Sequence, residues 1–488
     1  MHSFGRGNPT AKTSRAARLA LRVALIALPL LALLSSKPAA AYPWMIKHNY
    51  PSCSACHADP SGGELLTTYG RMISTLTLST DWKGEGGGSA SRRGLSRQLA
   101  LRAPESFAAG AKAAGEDASK SEEAAPAAEA EAAPEATAPA DESTEEAAPA
   151  DAESSSSSEE PTFQNFLFGA FTLPDWLLLG GSYRHMNILP LGDGEFRTFP
   201  MMMDLYGQAQ FGNFKIGGSI GGARVKVGSH YARRAQVTTN QGKDWNLISR
   251  THYLGYDITP AVTLRAGRLN LPFGVRIPEH TMWVRQITNT DRESSQQHGV
   301  ALAYTGETLR GELMGIAGNY QLNPDKYRDR GYSGFAEYAL STNATIGVSS
   351  LMTFSKADIQ TRADLKTMRQ AHGLTGRVGI GDKLAVLAEV DGLITSRRDV
   401  GYVGFVQLDF ELIQGLHLMA TGETVDQGRD HVAPGDPEPA KTPGYGKPRF
   451  GGWLSAAWFI YSHFDIRLDA IKRTQEDAQL LAQLHVYL

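Results

Sequence analysis

An all-β fold, an antiparallel transmembrane barrel of about sixteen strands, is what this sequence predicts, and three observations predict it. From about residue 162 onward, short runs alternate apolar with polar side chains. Tight links and long polar loops take turns between those runs, and the number of runs is even. In "FVQLDFEL", Phe405, Gln407, Asp409 and Glu411 face one way and Val406, Leu408, Phe410 and Leu412 the other. In "FDIRLDA", Phe464, Ile466, Leu468 and Ala470 oppose Asp465, Arg467 and Asp469. Side chains of a strand point alternately to its two faces, so both runs read as strands with one apolar and one polar side.

The same pattern places strands near 176–188, 198–211, 213–228, 244–257, 261–269, 297–306, 308–317 and 331–341. It continues at 343–355, 368–380, 382–394, 401–412, 415–424, 450–461, 463–473 and 478–488. Even-numbered strands are followed by tight links ("GN", "TGET", "STN", "GIGD", "IQG", "SH"), whereas most odd-numbered ones end in long loops such as 229–243, 270–296 and 425–449. Short turns on one rim and long loops on the other describe a bacterial outer-membrane barrel, with the start of the first strand and the carboxyl terminus on the periplasmic side. Aromatic residues recur near strand ends, at Trp176, Phe211, Trp245, Tyr256, Tyr338, Phe354, Tyr402, Trp453 and Tyr461. A closed sheet leaves no unpaired backbone to face lipid, which is why a strand-rich chain crosses a membrane in this form. The chain ends in Leu488, where many such barrels end in an aromatic residue.

Three segments precede the barrel, which is assigned to residues 161–488. Residues 1–41 read as a secretory signal: Arg6, Lys12, Arg15, Arg18 and Arg22, then "VALIALPLLALL", then a small-residue cleavage site after Ala41. That apolar run of about a dozen residues is shorter than the ~20 a spanning helix needs. Residues 84–160 are rich in Ala, Glu, Pro and Ser and nearly devoid of large apolar side chains. Such a stretch cannot bury enough surface to offset the entropy of ordering, so a disordered acidic linker is expected. A net charge of −3 over 488 residues, much of it from that linker, gives no sign of a nucleic-acid partner.

Between signal and linker, residues 42–83 form a small module that holds both cysteines of the chain, in "PSCSACHADPSGG". A disulfide between Cys53 and Cys56 would close too short a loop to add much stability. A thioredoxin-like pair needs a βαβ setting that this short segment does not offer. Structural zinc recruits four ligands, more than Cys53, Cys56 and His57 provide. The remaining reading is one covalent haem c, with thioether links from Cys53 and Cys56 and His57 as proximal iron ligand. His48, Met45 and Met72 are the nearby candidates for the sixth position. A module of about forty residues is marginal on its own and needs a cofactor or a partner surface as core. Gly62 and Gly63 read as a turn, and Leu65, Leu66, Tyr69 and Met72 follow at spacings suited to covering a porphyrin.

A single "CSACH" after an export signal, then "PSGGELLTTYGR" and a barrel of about sixteen strands, resembles the fused monohaem cytochrome and porin proteins of bacterial outer membranes. The best-known members of that family oxidise ferrous iron outside the cell. The resemblance implies covalent haem at Cys53 and Cys56, axial His57, and electron transfer through the outer membrane between an external donor or acceptor such as Fe(II) and periplasmic electron-carrier cytochromes. "RAGRLNLPFGVR", residues 265–276, is similar to a strand and the loop after it in phosphate-selective porins. Under that likeness Arg265, Arg268 and Arg276 are candidates to line an anion path. Asp426, Asp430, His431, Asp436 and Glu438, in and around the loop at 425–449, are oxygen and imidazole donors suited to iron. Two functional classes follow: an electron conduit, at most an Fe(II) oxidoreductase, or a solute or anion porin whose tethered haem is a sensor, plug or periplasmic shuttle. No hydrolytic or nucleophilic constellation is evident.

Overall fold

The computed structural model describes residues 43–80, 165–166, 171–224, 234–238, 245–319, 326–358, 364–431 and 446–488. The signal segment and the acidic linker lie outside these residues. Sixteen antiparallel strands close into one barrel: β1 Leu177–Pro190, β2 Arg197–Phe211, β3 Phe214–Arg224, β4 Trp245–Ile248 continued by His252–Thr259, β5 Val262–Leu269, β6 Gln297–Thr305, β7 Leu309–Gly318 and β8 Arg330–Ser341. The second half is β9 Ala344–Ser355, β10 Thr367–Ile380, β11 Leu384–Thr395, β12 Gly401–Ile413, β13 Leu416–Asp426, β14 Arg449–Tyr461, β15 Phe464–Arg473 and β16 Gln479–Tyr487. Pairing of β16 with β1, from Tyr487↔Ser182 to Gln479↔Pro190, closes the ring and removes the last sheet edge.

Both faces of the wall follow from the alternation in sequence. Val406, Leu408, Phe410 and Leu412 are exposed to the outside, while Phe405, Gln407, Asp409 and Glu411 are buried in the lumen. Leu454, Ile466 and Leu468 likewise point outward, and Asp465, Arg467 and Asp469 inward. An apolar exterior around a charged interior is the inverse of a water-soluble protein and is what a lipid solvent selects. Of the aromatic residues near strand ends, Trp453 departs from the outward set. It is buried in the lumen and donates its indole N–H to Glu423 at 2.7 Å. Its neighbours Leu454 and Phe450 face lipid instead, as its position in the alternation requires.

Two further features were not legible strand by strand. The fourth strand is broken at Ser249–Thr251, where the Arg250 and Thr251 N–H groups both donate to Ser219 Oγ at 3.1 Å. The break turns Arg250 into the lumen, where its Nε meets Asp204 Oδ2 at 2.6 Å. The loop 270–296, expected on the polar long-loop rim, instead folds into the barrel and crosses it. Leu271, Phe273, Val275 and Ile277 are buried, and a short helix, α2 Trp283–Thr288, lies within it. Charged residues tie this loop around the wall: Glu389 accepts from the Val275 N–H at 2.7 Å and pairs with Arg285, Glu423 accepts from the Trp283 N–H at 2.8 Å, and Arg467 meets Glu279 at 2.8 Å.

Below the loop, on the side of the short turns, the module fills the barrel. Its chain enters as a 3-10 helix, Pro43–His48, and leaves after α1 Thr68–Ile73 and a π-helical turn Ser74–Leu78. Met45 and Ile46 are fully buried, and Trp44 packs against His417 with ring centroids 4.3 Å apart. A segment too small for a core of its own thus uses the inner wall of the barrel as its partner surface. Lys47, also buried, puts Nζ 3.3 Å from Asp409, 3.2 Å from Glu411 and 3.3 Å from His417 Nδ1. At the exit, Thr80 N–H donates to Phe459 O at 2.9 Å and Gln414 Nε2 to Ser79 O at 2.7 Å. Both ends of the described module therefore lie at the short-turn rim.

Glycine in the wall allows this approach. A Cβ at Gly379 on β10 would sit 2.5 Å from Lys47 Cα, a backbone atom that cannot turn aside. Gly379→Leu is accordingly expected to weaken docking by about 1–3 kcal/mol, the usual cost of overpacking. Protease cleavage between residues 43 and 80 in detergent-folded protein reads this out, and cleavage as slow as in the parent chain would contradict it.

Candidate functional site

A tight turn builds the centre of the module. The N–H groups of Cys56 and His57 both donate to Cys53 O, at 3.3 and 3.2 Å, which places the two thiols and the imidazole on one short coil. Thr67 clamps that coil to α1: its N–H donates to Cys56 O at 2.9 Å, and its Oγ1 donates to Ala55 O at 2.8 Å and accepts from Gly70 N–H as the helix cap. Gly62 and Gly63 turn the chain with φ of +94° and +98°. A Cβ at Gly62 would lie 2.7 Å from Cys53 Cβ, so the turn closes directly on the cysteine.

Cys53, Cys56 and His57 line a single cavity inside the barrel. The module bounds it with Met45, Leu66, Ile73 and Leu78, the lumen loop with Arg276, Pro278 and Arg292, and the wall with Ser182, Arg184, Met202, Tyr206 and His485. Both cysteines are buried and free of any disulfide. The fit to haem c is therefore good on chemistry: two thiols and one imidazole at one cavity, apolar walls beside them, and Arg276 and Arg292, against which acidic substituents can rest.

Burial holds the His57 imidazole down to about 4, with Arg292 adding to the effect, so the ring is neutral at ordinary pH and has a lone pair to coordinate. Burial pushes the Cys56 thiol well up, and Cys53 reinforces it. Asp59 is different: burial alone would raise it, but Arg265 and Arg276 outweigh that and hold it at about 2. Glu64 is raised by burial.

These two acids fasten the module to the wall. Arg265 meets Asp59 at 3.3 Å and Glu312 at 2.5 Å, and Glu64 accepts from Asn270 and from Thr251, each at 2.9 Å. Ser61 Oγ accepts from Arg276 at 2.7 Å. Of the three arginines expected to line an anion path, Arg265 is thus spent on carboxylates and Arg268 on backbone carbonyls, among them Arg250 O at 2.8 Å, while Arg276 faces the cavity.

The candidates for the sixth ligand separate. Met45 lines the cavity. His48 points away from it, with Nε2 2.7 Å from Glu411 at the short-turn rim. The Met72 backbone lies in α1, and its side chain is outside the described residues. In the long loop after β13, Asp430 pairs with Arg398 at 2.6 Å and His431 with Asp399 at 2.6 Å, while Asp436 and Glu438 are outside the described residues. Among the described residues no group of three or more His, Cys, Asp or Glu side chains could hold a metal ion. Sequence reasoning missed His485, Arg292 and Glu64, which share the site through pairings across the whole chain. Only the placement of Arg292 in the loop after "LPFGVR" hinted at its role.

A closed ring of sixteen strands, apolar outside and charged within, decides the class of the molecule. The chain is a closed barrel of sixteen strands with an outward apolar face, the build of a membrane-spanning barrel. No family model matches it, and no curated protein matches it. Among solved structures it is similar to a loop-deletion mutant of OmpT, an outer membrane protein of Vibrio cholerae, with a TM-score of 0.46 and 12% identity over 64% of this chain and 99% of that one. OmpF of Salmonella typhi in complex with daunomycin gives 0.46 and 10% over 64% and 97%. An anion-selective porin from Comamonas acidovorans gives 0.43 and 10% over 64% and 98%.

Proposed function

We propose that this outer-membrane barrel carries electrons between its two sides by way of one covalent haem c held in the lumen. The observation that supports this reading is the cavity shared by Cys53, Cys56 and His57, enclosed between the module and the loop 270–296. A lipid-facing band about 25 Å tall insulates the two compartments, and a redox centre inside the barrel divides that distance. Bound there, haem c supplies reversible one-electron chemistry.

The residues of the chain have distinct parts in this. Cys53 and Cys56 would hold the haem through their thiols, and His57, neutral through burial, would ligate its iron. Arg276 and Arg292, brought by the lumen loop, give the positive surroundings that offset two propionates. The same loop lines the cavity through Arg276, Pro278 and Arg292, and the module lines it from the short-turn side. External Fe(II) and periplasmic cytochromes are the donor and acceptor the reading implies, in either direction of flow.

A second reading, a solute porin with a haem plug, draws on one observation. A second void runs along the wall beside β14, β15 and β16 and shares Arg184, Pro278 and His485 with the cavity at Cys53, Cys56 and His57. Reconstitution in liposomes that enclose a redox dye separates the two. With an impermeant external reductant, the conduit reduces the dye while small neutral solutes stay inside; release of solute with the dye left oxidised would refute it.

A further inference from the structure

We infer that the barrel wall itself supplies the second axial ligand of the haem, from His485 on β16. The inference rests on the haem reading above and goes beyond it by naming a ligand more than 400 residues along the chain from the attachment motif.

His485 lines the same cavity as Cys53, Cys56 and His57. It does so from the wall, whereas His57 belongs to the module. Its ring is held from behind: Nδ1 lies 2.8 Å from Asp465 Oδ2 on β15, and both side chains are buried. A carboxylate at Nδ1 keeps the proton there and presents the lone pair of Nε2, the arrangement by which metal-binding histidines are oriented. The partner of Nε2 is Ser182 Oγ at 3.0 Å, and Ser182 also lines the cavity. A hydroxyl rotates about its bond at little cost, so it can release Nε2 to a stronger partner.

The competing donors in the cavity lack such support. Met202 Sδ accepts from Tyr206 OH at 3.5 Å, and Met45 sits fully buried in the apolar cluster with Trp44 and Ile46. His48 is engaged with Glu411 and does not line the cavity. With His57 and His485 on separate bodies, the iron coordination joins module to barrel, and a module that leaves the lumen changes its coordination.

The test uses the full-length protein purified with its haem, comparing the parent chain with His485→Ala, His485→Gln and Met45→Leu. Haem staining of denatured protein reports covalent attachment, and absorption and electron paramagnetic resonance report spin state. The expected result is a low-spin parent and Met45→Leu variant, with both His485 variants stained as strongly but high-spin, and low-spin again on adding free imidazole. His485→Gln keeps a hydrogen-bonding group of similar size, so it guards against loss of the fold in the alanine variant. An unchanged low-spin spectrum in both His485 variants, or a high-spin Met45→Leu, overturns the assignment. A parent protein without any covalent haem instead refutes the underlying reading of the site.

Discussion

Serine at both Cys53 and Cys56 is expected to leave the barrel folded and to remove transmembrane electron transfer. Serine is slightly smaller than cysteine and fits the same turn, which is held by backbone bonds from Cys56 and His57 to Cys53 O and by Thr67, none of which involves sulfur. What the double variant loses is the pair of nucleophilic sulfurs that thioether attachment requires. Haem staining should fall to background. Dye reduction in liposomes should fall to the rate of protein-free vesicles, while the heat-dependent gel shift of a folded barrel remains. A double variant that still reduced the enclosed dye at the parental rate would show that the route does not use this site.

The second large effect concerns the seat of the module. Lys47→Met removes the cation that stands between Asp409, Glu411 and His417, all of them buried. Breaking a buried ion pair by deleting one partner typically costs 3–5 kcal/mol, because the surviving charges stay desolvated and unpaired. With about 1.4 kcal/mol per tenfold, that shifts the equilibrium between seated and released module by roughly two to three and a half orders of magnitude. Single-channel recordings should show a rise in conductance over the parent protein, and the segment 43–80 should become open to protease. Adding Asp409→Asn removes one of the stranded carboxylates and is expected to recover part of the loss. Conductance and cleavage unchanged in Lys47→Met would mean that packing around Trp44, Met45 and Ile46 alone holds the module in place.

Much of this architecture is written locally. Alternation in "FVQLDFEL" sorts Phe405 and Gln407 from Val406 and Leu408 to the correct faces, because a strand exposes one face to lipid and one to the lumen whatever its neighbours do. The spacing of Cys53, Cys56 and His57 is likewise local, since one turn of chain sets it. The seat of the module is not: Lys47 and Asp409 are 362 positions apart, and nothing near either residue marks the other. The lumen loop carried a signal that went unused. Leu271, Phe273, Val275 and Ile277 alternate in a stretch with too many prolines for a wall strand, and apolar residues in a long loop need something to cover them. The break at Ser249–Thr251 had no local mark, because its cause is Ser219 on the neighbouring strand.

The position of the module's two ends has a bearing on biogenesis. Since Pro43 and Thr80, the first and last described residues of the module, lie at the same mouth, residues 43–80 do not thread the ring from one opening to the other. A bent segment of this kind can slide in like a stopper after the cylinder has zipped shut at Tyr487 and Ser182. Maturation of the segment 43–80 and insertion of the cylinder into a bilayer can then proceed as separate events, in either order, with seating as the last.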